Sequence, residues 1–476
     1  MTNENFTPPY PEPHQSKSSF IKRFIRGWDS WIHVVYKNSY NLKLGEVNLP
    51  RTDMFVVGEP NLVTDVFRNK DKLYPKSYQL MKLLEPLMGN SVFTSNGDEW
   101  EGQRSMLKNA FGHTHLKRAY GDMLSASNEL INIVKKKAAE TPEFNIEHYM
   151  THVAADIIYR TMFSESLSEA DSKKVFDAFH GFQKSAQKAF ILRLYGLPSF
   201  FNKRSAKKQA ERIRDTFGTY IQPRYEAFQA LSDDEKEAYV EKNILDSLLT
   251  AKHPTTQQRF TLQEVIDQMG VFFIAGHETT ASALSWALYM IAKSPELQES
   301  LHQEAKAILD HKEIAPEDIK TLKTFDLVFK ETLRLYPPVG FFLREAGCDM
   351  SLRSKHIKQG SVVVVSPWLI QRSDNHWKNP HEFDAKRFDT NDSAAQARCP
   401  MHDKSHEQAY FPFGKGERIC MGAAFAHQES MLVLSKFLYH FKLEPSNSHQ
   451  PDVVSRVTTR PKNGIFLNIQ ERNSTA

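Results

Sequence analysis

The sequence predicts a mainly α-helical chain with small β-sheets, and three observations carry that reading. Apolar residues recur at helical spacing over most of the stretch from Glu59 to Leu343, with loops at prolines. Strand-like runs are confined to residues 43–57, ending in Met54–Val57, and to residues 350–370, where Val362–Val365 is clearest. A last helix is expected just after Cys420, running through Phe437. The chain has 476 residues, 40% of them apolar, with 32 Phe and 16 Tyr, enough to build a large core and too much for disorder. No internal repeat or long low-complexity linker divides it. Residues 1–19, polar and proline-rich, read as a flexible tail ahead of a single domain over 20–476.

Bulk chemistry excludes several classes. A net charge of +4 with 25% charged residues is too mild for a nucleic-acid protein. Three cysteines, Cys348, Cys399 and Cys420, make no disulfide framework and fit a reducing compartment. The N-terminus lacks a basic segment followed by an apolar one, so no signal peptide is expected. The longest apolar stretch, Val265–Ala275, is interrupted by Asp267 and Gln268 and followed by His277 and Glu278, so no transmembrane segment is expected. The expected setting is the cytoplasm of a bacterium.

Taken in chain order, residues 20–36 carry Phe20, Ile21, Phe24, Ile25, Trp28, Trp31, Ile32 and Val35 as a helical stripe beside Lys22, Arg23 and Arg26. This helix either packs on its own domain or lies on a membrane surface, and the first reading is the plainer one. Trp100 and Arg104 stand one helical turn apart. Residues 264–293 read as one long helix with Ala275-Gly276-His277-Glu278-Thr279-Thr280 at its middle. An acid and threonines inside an apolar helix are costly unless paired or wet, and Thr can bond the i−4 carbonyl. A polar helix face is the bland alternative. Glu331 and Arg334 share a face at i, i+3, and Leu-Tyr-Pro-Pro at 335–338 ends their helix. Residues 413–422, Phe-Gly-Lys-Gly-Glu-Arg-Ile-Cys-Met-Gly, place Cys420 just ahead of a helix, where free N–H groups favour a thiolate. The glycines allow tight turns and a close approach to a flat group. A buried Cys in an ordinary turn is the bland alternative there.

The 413–422 loop resembles the haem-binding loop of the cytochrome P450 family, F-x-x-G-x-R-x-C-x-G, through Phe413, Gly416, Arg418, Cys420 and Gly422. Residues 275–280 are similar to that family's oxygen-binding helix, Glu331-Thr-Leu-Arg334 to its E-x-x-R, and residues 380–388 to P-x-x-F-x-P-x-R-F, with Ala385 and Lys386 departing from it. The motifs keep the family's order over about residues 40–470. The resemblance implies a haem b, iron protoporphyrin IX, held between the long central helix and the cysteine-loop helix, with Cys420 as the iron ligand. It implies that Phe413, Trp100, Arg104, Arg344, Arg418, Ala275 and Gly276 surround the cofactor, the arginines and the Trp100 N–H meeting its carboxylates. Glu278 and Thr279 are the implied proton donors during dioxygen activation. Glu331, Arg334 and Arg387 are the implied structural brace of the cysteine loop.

The implied activity is a monooxygenase that hydroxylates or oxidatively dealkylates an apolar small molecule such as a fatty acid or terpenoid. By carry-over, the substrate meets Met81, Leu84, Leu87, Met88 and Phe93, together with Ala275, Val339–Phe342 and Val457–Thr458. Each of these residues can equally be plain core. Only 56 residues follow Cys420, so electrons are expected from a separate ferredoxin or flavodoxin with its reductase. Lys108, His115, Lys117, Arg118 and Lys415 are its expected docking patch, or a solvated basic face. A peroxygenase or isomerase on the same fold, or a non-enzymatic haem protein, remain as alternatives. Cys399, His402 and His406 have a metal-like spacing but no fourth ligand and read as surface.

Overall fold

The computed structural model describes residues 6–68, 72–167, 169–389 and 407–472. In chain order the elements are α1 (Phe20–Gly27), β1 (Leu44–Leu49), β2 (Thr52–Val57), α2 (Pro60–Arg68), α3 (Tyr78–Met88), α4 (Gly97–Met106), α5 (His113–Glu140), β3 (Glu143–Asn145) and α6 (Ile146–Phe163). Then follow α7 (Glu169–Leu194), α8 (Phe200–Gln229), α9 (Asp233–Glu237), α10 (Ile244–Thr250), α11 (Leu262–Ala292), α12 (Pro295–Leu309) and α13 (Lys323–Leu335). The C-terminal part holds β4 (Phe342–Glu345), β5 (Met350–Leu352), β6 (Lys355–Ile357), β7 (Val362–Val365), α14 (Pro367–Ile370), α15 (Ala423–His440), β8 (Phe441–Pro445), β9 (Val453–Ser455), β10 (Thr459–Pro461) and β11 (Phe466–Glu471). The chain is mainly helical with small sheets.

The axis of the molecule is α11. A capping box starts it: the Glu264 N–H donates to Thr261 Oγ1 at 3.3 Å and the Thr261 N–H to Glu264 Oε2 at 2.8 Å. It ends before Pro295, which cannot continue the ladder. Apolar residues surround it on nearly every face, so it is buried almost throughout. Its first half packs with α3, α7 and α8 in one apolar cluster. Its second half packs with α5, α6, α13 and α15 in another, where Trp286 stacks on Tyr336 at 3.9 Å.

The sheets lie at the edges of this helical body. One has the order β1-β2-β7-β4, with β2 and β7 parallel and Phe55 opposite Val363. Another has the order β3-β11-β8, and β9/β10 and β5/β6 form two short pairs. Val362–Val365 is buried on both faces, as a continuous valine run requires.

Two N-terminal expectations change. The helix over 20–36 stops at Gly27, and a 3-10 turn follows at Trp31–Val34. Ser30 instead adopts extended backbone and exchanges bonds with β9: its hydroxyl donates to Ser455 O at 3.2 Å and accepts from the Ser455 N–H at 2.9 Å. Residues 6–14, within the stretch read as a loose tail, lie on the body. The Phe383 N–H donates to Phe6 O at 2.9 Å, and Tyr10 stacks on His381 at 4.5 Å.

Candidate active site

The cysteine loop is a series of tight turns. The Gly414 N–H donates to Phe411 O at 3.0 Å, the Ile419 N–H to Gly416 O at 3.1 Å, and the Cys420 N–H to Phe413 O at 3.0 Å. Gly416 has φ +71°, and a Cβ there would lie 2.3 Å from the Phe67 carbonyl of α2, so both conformation and space demand glycine. Gly422 is the N-cap of α15, which sets Cys420 just ahead of that helix. The thiol is reachable by solvent yet enclosed by protein on most sides. Burial pushes it up, while the Gly422 N–H and the Arg104 guanidinium pull it back.

Cations gather around this thiol. Arg104 Nη2 donates to Ile419 O at 2.8 Å. Burial lowers Arg104, and the neighbouring Arg418 adds to that. No carboxylate among the described residues pairs with Arg104. The Arg418 guanidinium lies 4.2 Å over the buried Trp100 ring and donates to Ser95 O at 3.1 Å and Asn96 Oδ1 at 3.0 Å. Trp100, Arg104 and Arg418 are thus brought together beside Cys420. Arg344, buried on β4, stands over the ring of Phe67 at 5.3 Å, the residue whose carbonyl faces Gly416. Phe413 is half-buried against the large core cluster.

On α11 the six-residue segment divides between faces. Ala275 is exposed in a helix otherwise almost wholly buried, so it borders an internal surface. Thr279 Oγ1 donates to Ala275 O at 2.6 Å. Gly276 points at α6: a Cβ there would lie 3.0 Å from Ile158. Its small size therefore lets two helices approach. Gly276 and Ala275, both expected beside the cofactor, thus face different ways: Gly276 meets α6, while Ala275 is exposed.

Glu278 turns away from Thr279, toward α7 and the β9–β10 corner. It accepts from Gln183 Nε2 at 2.7 and 2.6 Å and from Thr458 Oγ1 at 2.9 Å. Burial raises it, opposed by Arg460 and these two donors. Beyond it, Arg460 Nη1 lies 3.6 Å from Glu147 Oε1, and Arg460 Nη2 lies 2.7 Å from His180 Nδ1. Burial pushes Glu147 up to about 7 and His180 down to about 4. His277 is buried with Nδ1 donating to Phe273 O at 2.8 Å, and burial lowers it to about 4, so it is neutral. From α15, the buried Glu429 meets Thr280 of α11, and burial raises it well above the carboxylate range. Glu147, His180, Gln183, Glu429 and Arg460 escape sequence reading. Each sits in an ordinary helical or strand position, and only packing brings them to α11.

Glu331, fully buried, is a hub. Its carboxylate accepts from Arg334 Nε at 2.7 Å and Nη2 at 2.8 Å, from Arg387 Nε at 3.0 Å and from the Asp384 N–H at 3.1 Å. Burial would raise it, but the two guanidiniums prevail and hold it below the usual carboxylate range. Arg334 also donates to the carbonyls of Gln371 and Pro380, both at 2.7 Å. Gln371 then reaches the cysteine loop, donating to Arg334 O at 3.0 Å and accepting from the Phe411 N–H at 3.0 Å. No motif flagged Gln371.

Other expected residues scatter. Leu84, Leu87 and Met88 are buried among α8 and α11 side chains. Phe341 packs edge-on to Trp31 at 4.9 Å and Phe342 on Phe67 at 5.5 Å. Within the expected docking patch Lys108, Lys117 and Arg118 are exposed. His115 turns inward to Glu241 at 3.0 Å and Ser247 at 3.1 Å, away from the exposed part of that patch. Cys399, His402 and His406 lie outside the described residues.

A family model described as "Cytochrome P450" matches residues 29–468. Human cytochrome P450 4V2 is 30% identical over 86% of this chain and 79% of its own length. Rat thromboxane-A synthase is 27% identical over 98% of this chain and 91% of its own. The 11-oxo-beta-amyrin 30-oxidase of Glycyrrhiza uralensis is 27% identical over 94% and 83%. These relatives come from animals and a plant, and the expectation of a soluble bacterial type gains nothing from them. Among the described residues, no helix is long and apolar enough to cross a membrane.

Proposed function

This chain belongs to the cytochrome P450 family, a haem-dependent monooxygenase family, and we propose that it inserts one oxygen atom from dioxygen into an apolar small molecule such as a fatty acid or terpenoid. The reaction is a hydroxylation or an oxidative dealkylation. The cofactor is haem b, with Cys420 as its iron ligand. Electrons come from a separate ferredoxin or flavodoxin with its reductase. The names of two relatives, a 30-oxidase of the triterpene 11-oxo-beta-amyrin and a thromboxane-A synthase, support an apolar substrate.

One observation carries the proposal: a reachable thiol at the head of α15 shares its surroundings with the clustered cations Arg104 and Arg418. Those residues fit a haem. Arg104, crowded by a second cation and lacking a carboxylate partner among the described residues, suits an anionic side group of the cofactor. The exposed Ala275 offers a small, apolar surface on α11. When bound through a thiolate, the haem supplies the electron-rich iron needed for O–O cleavage. The protein's own work is to shield, hold and supply protons. Burial raises the Glu278 carboxyl, favouring its protonated form, and Gln183 and Thr458 orient it as a proton donor. The Thr279 hydroxyl, bonded back to Ala275 O, is the nearest alcohol along the helix. The Glu331 hub and Gln371 steady the loop that carries Cys420.

A carbon monoxide difference spectrum of the reduced protein tests this. A strongly red-shifted Soret band that disappears in Cys420→Ala supports it. An unshifted band shared by both proteins overturns it. Fatty acids and terpenoids are expected to perturb the wild-type Soret spectrum, and binding confined to small hydrophilic compounds would refute the substrate class.

A further inference from the structure

We infer that Glu147, in the first turn of α6, shares one proton with Glu278 around the guanidinium of Arg460 and reloads Glu278 after that carboxyl has given its proton away. Glu147 touches no reacting atom and acts only through Glu278, so its role rests on the monooxygenase reading above. From β10, Arg460 Nη1 lies 3.6 Å from Glu147 Oε1. The same charge acts on Glu278, against the burial that raises it. Arg456, the other cation facing Glu278, is already engaged: Nη2 pairs with Asp29 and Nε donates to Asp29 O at 3.1 Å. His180 of α7 adds no charge. Burial, with Arg460, Arg456 and the exposed Lys184, outweighs Asp177 and lowers it to about 4. Its Nδ1 accepts from Arg460 Nη2 at 2.7 Å and fixes the guanidinium from α7. Among the described residues a single cation, Arg460, thus serves two buried carboxyls. Both cannot be ionised together, and one proton stays with the pair.

The pair is ordered from outside to inside. Glu147 keeps 14% of its side chain exposed, whereas Glu278 is enclosed by α7, α11 and the β9–β10 corner. Burial raises Glu147 to about 7 against the pull of Arg460, and Glu278 adds to the rise. Glu147 therefore holds a proton below about pH 7 while staying within reach of water. Once Glu278 has released its proton, the O–H bond of Glu147 breaks, an O–H bond forms on Glu278, and the negative charge passes to Glu147. Arg460 offsets that charge at either end, so no carboxylate is left buried without a counter-ion. The N-terminus of α6 favours the carboxylate left behind, and bulk water returns a proton to it. Gln183 suits both states of Glu278. Its Nε2 donates to the two carboxylate oxygens at 2.7 and 2.6 Å, and its Oε1 is buried with no partner among the described residues. Turned over, the amide accepts from the protonated carboxyl instead. A purely structural ion pair would need one carboxylate for Arg460, not two.

Infrared titration and turnover of the full haem-loaded chain together test this. In the resting protein, a protonated-carboxyl band that titrates near pH 7 is expected to vanish in Glu147→Gln. In Glu278→Gln the band is expected to remain and to titrate at clearly lower pH, because Glu147 then has Arg460 to itself. An unshifted band in Glu278→Gln overturns the shared proton, whatever the protein oxidises. Turnover is read with lauric acid, a [2Fe–2S] ferredoxin and its reductase. Glu147→Gln is expected to lose roughly tenfold or more in kcat with KM unchanged, to release more peroxide per dioxygen consumed, and to show a larger solvent deuterium isotope effect. Its rate should no longer fall as pH rises through 7, and Glu147→Asp should recover part of the loss. Wild-type coupling, isotope effect and pH profile in Glu147→Gln overturn the reloading. A wild type without the red-shifted carbon monoxide band defeats the reading of the reaction instead, and the infrared titration still decides the shared proton.

Discussion

Replacing Glu331 with Gln keeps the size of the side chain and removes its charge from the middle of two fully buried guanidiniums. The wild-type carboxylate takes three hydrogen bonds from Arg334 and Arg387 at 2.7–3.0 Å and one from the Asp384 N–H. Charge-assisted bonds of this kind contribute about 1.5–3 kcal/mol each, and an amide can replace only part of them. The larger effect is the pair of buried cations left without an anion, for which losses of about 3–5 kcal/mol are typical. An unfolding entropy of about 2.1 cal/mol/K per residue makes the whole chain lose roughly 1 kcal/mol per degree, so the melting point should fall by about 3–5 °C. Differential scanning calorimetry at several scan rates measures this. Glu85→Gln is the control, because its pair with Lys82 at 2.7 Å is exposed, and it should melt like the wild type. Haem content should fall with Glu331→Gln, since Arg334 holds the Gln371 carbonyl and Gln371 holds Phe411. A Glu331→Gln melt within about 1 °C of wild type would refute the reasoning that this hub is held together by charge.

Two further predictions follow from the geometry. Glu147 is raised by burial to about 7 in the folded chain, from an ordinary value of 4.5, so its contribution is intact below pH 4.5 and is lost as pH rises through 7. Glu147→Gln removes a cost of about 3 kcal/mol at most, so it should melt above wild type at pH 8 and lose that advantage at pH 4.5. A pH-independent difference would show that Glu147 holds no proton. Gly416→Ala forces a side chain into φ +71° and 2.3 Å from the Phe67 carbonyl, so the folded variant should lose its red-shifted carbon monoxide band. Gly97→Ala, at φ +60° with nothing within 4 Å, should cost only about 1 kcal/mol and keep the band.

What the sequence determined by itself was local. Helical periodicity placed the long helix at 264–293, and it runs from Leu262 to Ala292 with the Thr261–Glu264 capping box at its start. The valine run at 362–365 is a strand, and the helix after Cys420 begins at Ala423. These features follow from side-chain period, turn glycines and caps, which act over a few residues. The same logic overextended α1, because the bonds that Ser30 makes to Ser455 lie 425 residues away in sequence. Only tertiary packing decided which polar groups meet. Gln183 and Thr458 reach Glu278 across 95 and 180 residues, Glu147 meets Arg460 from another element, and Gly276 faces Ile158 while Ala275 is left exposed. A buried polar group must find a partner or lose its charge, and which partner lies within 3 Å is set by how helices cross, a property no local pattern of residues contains.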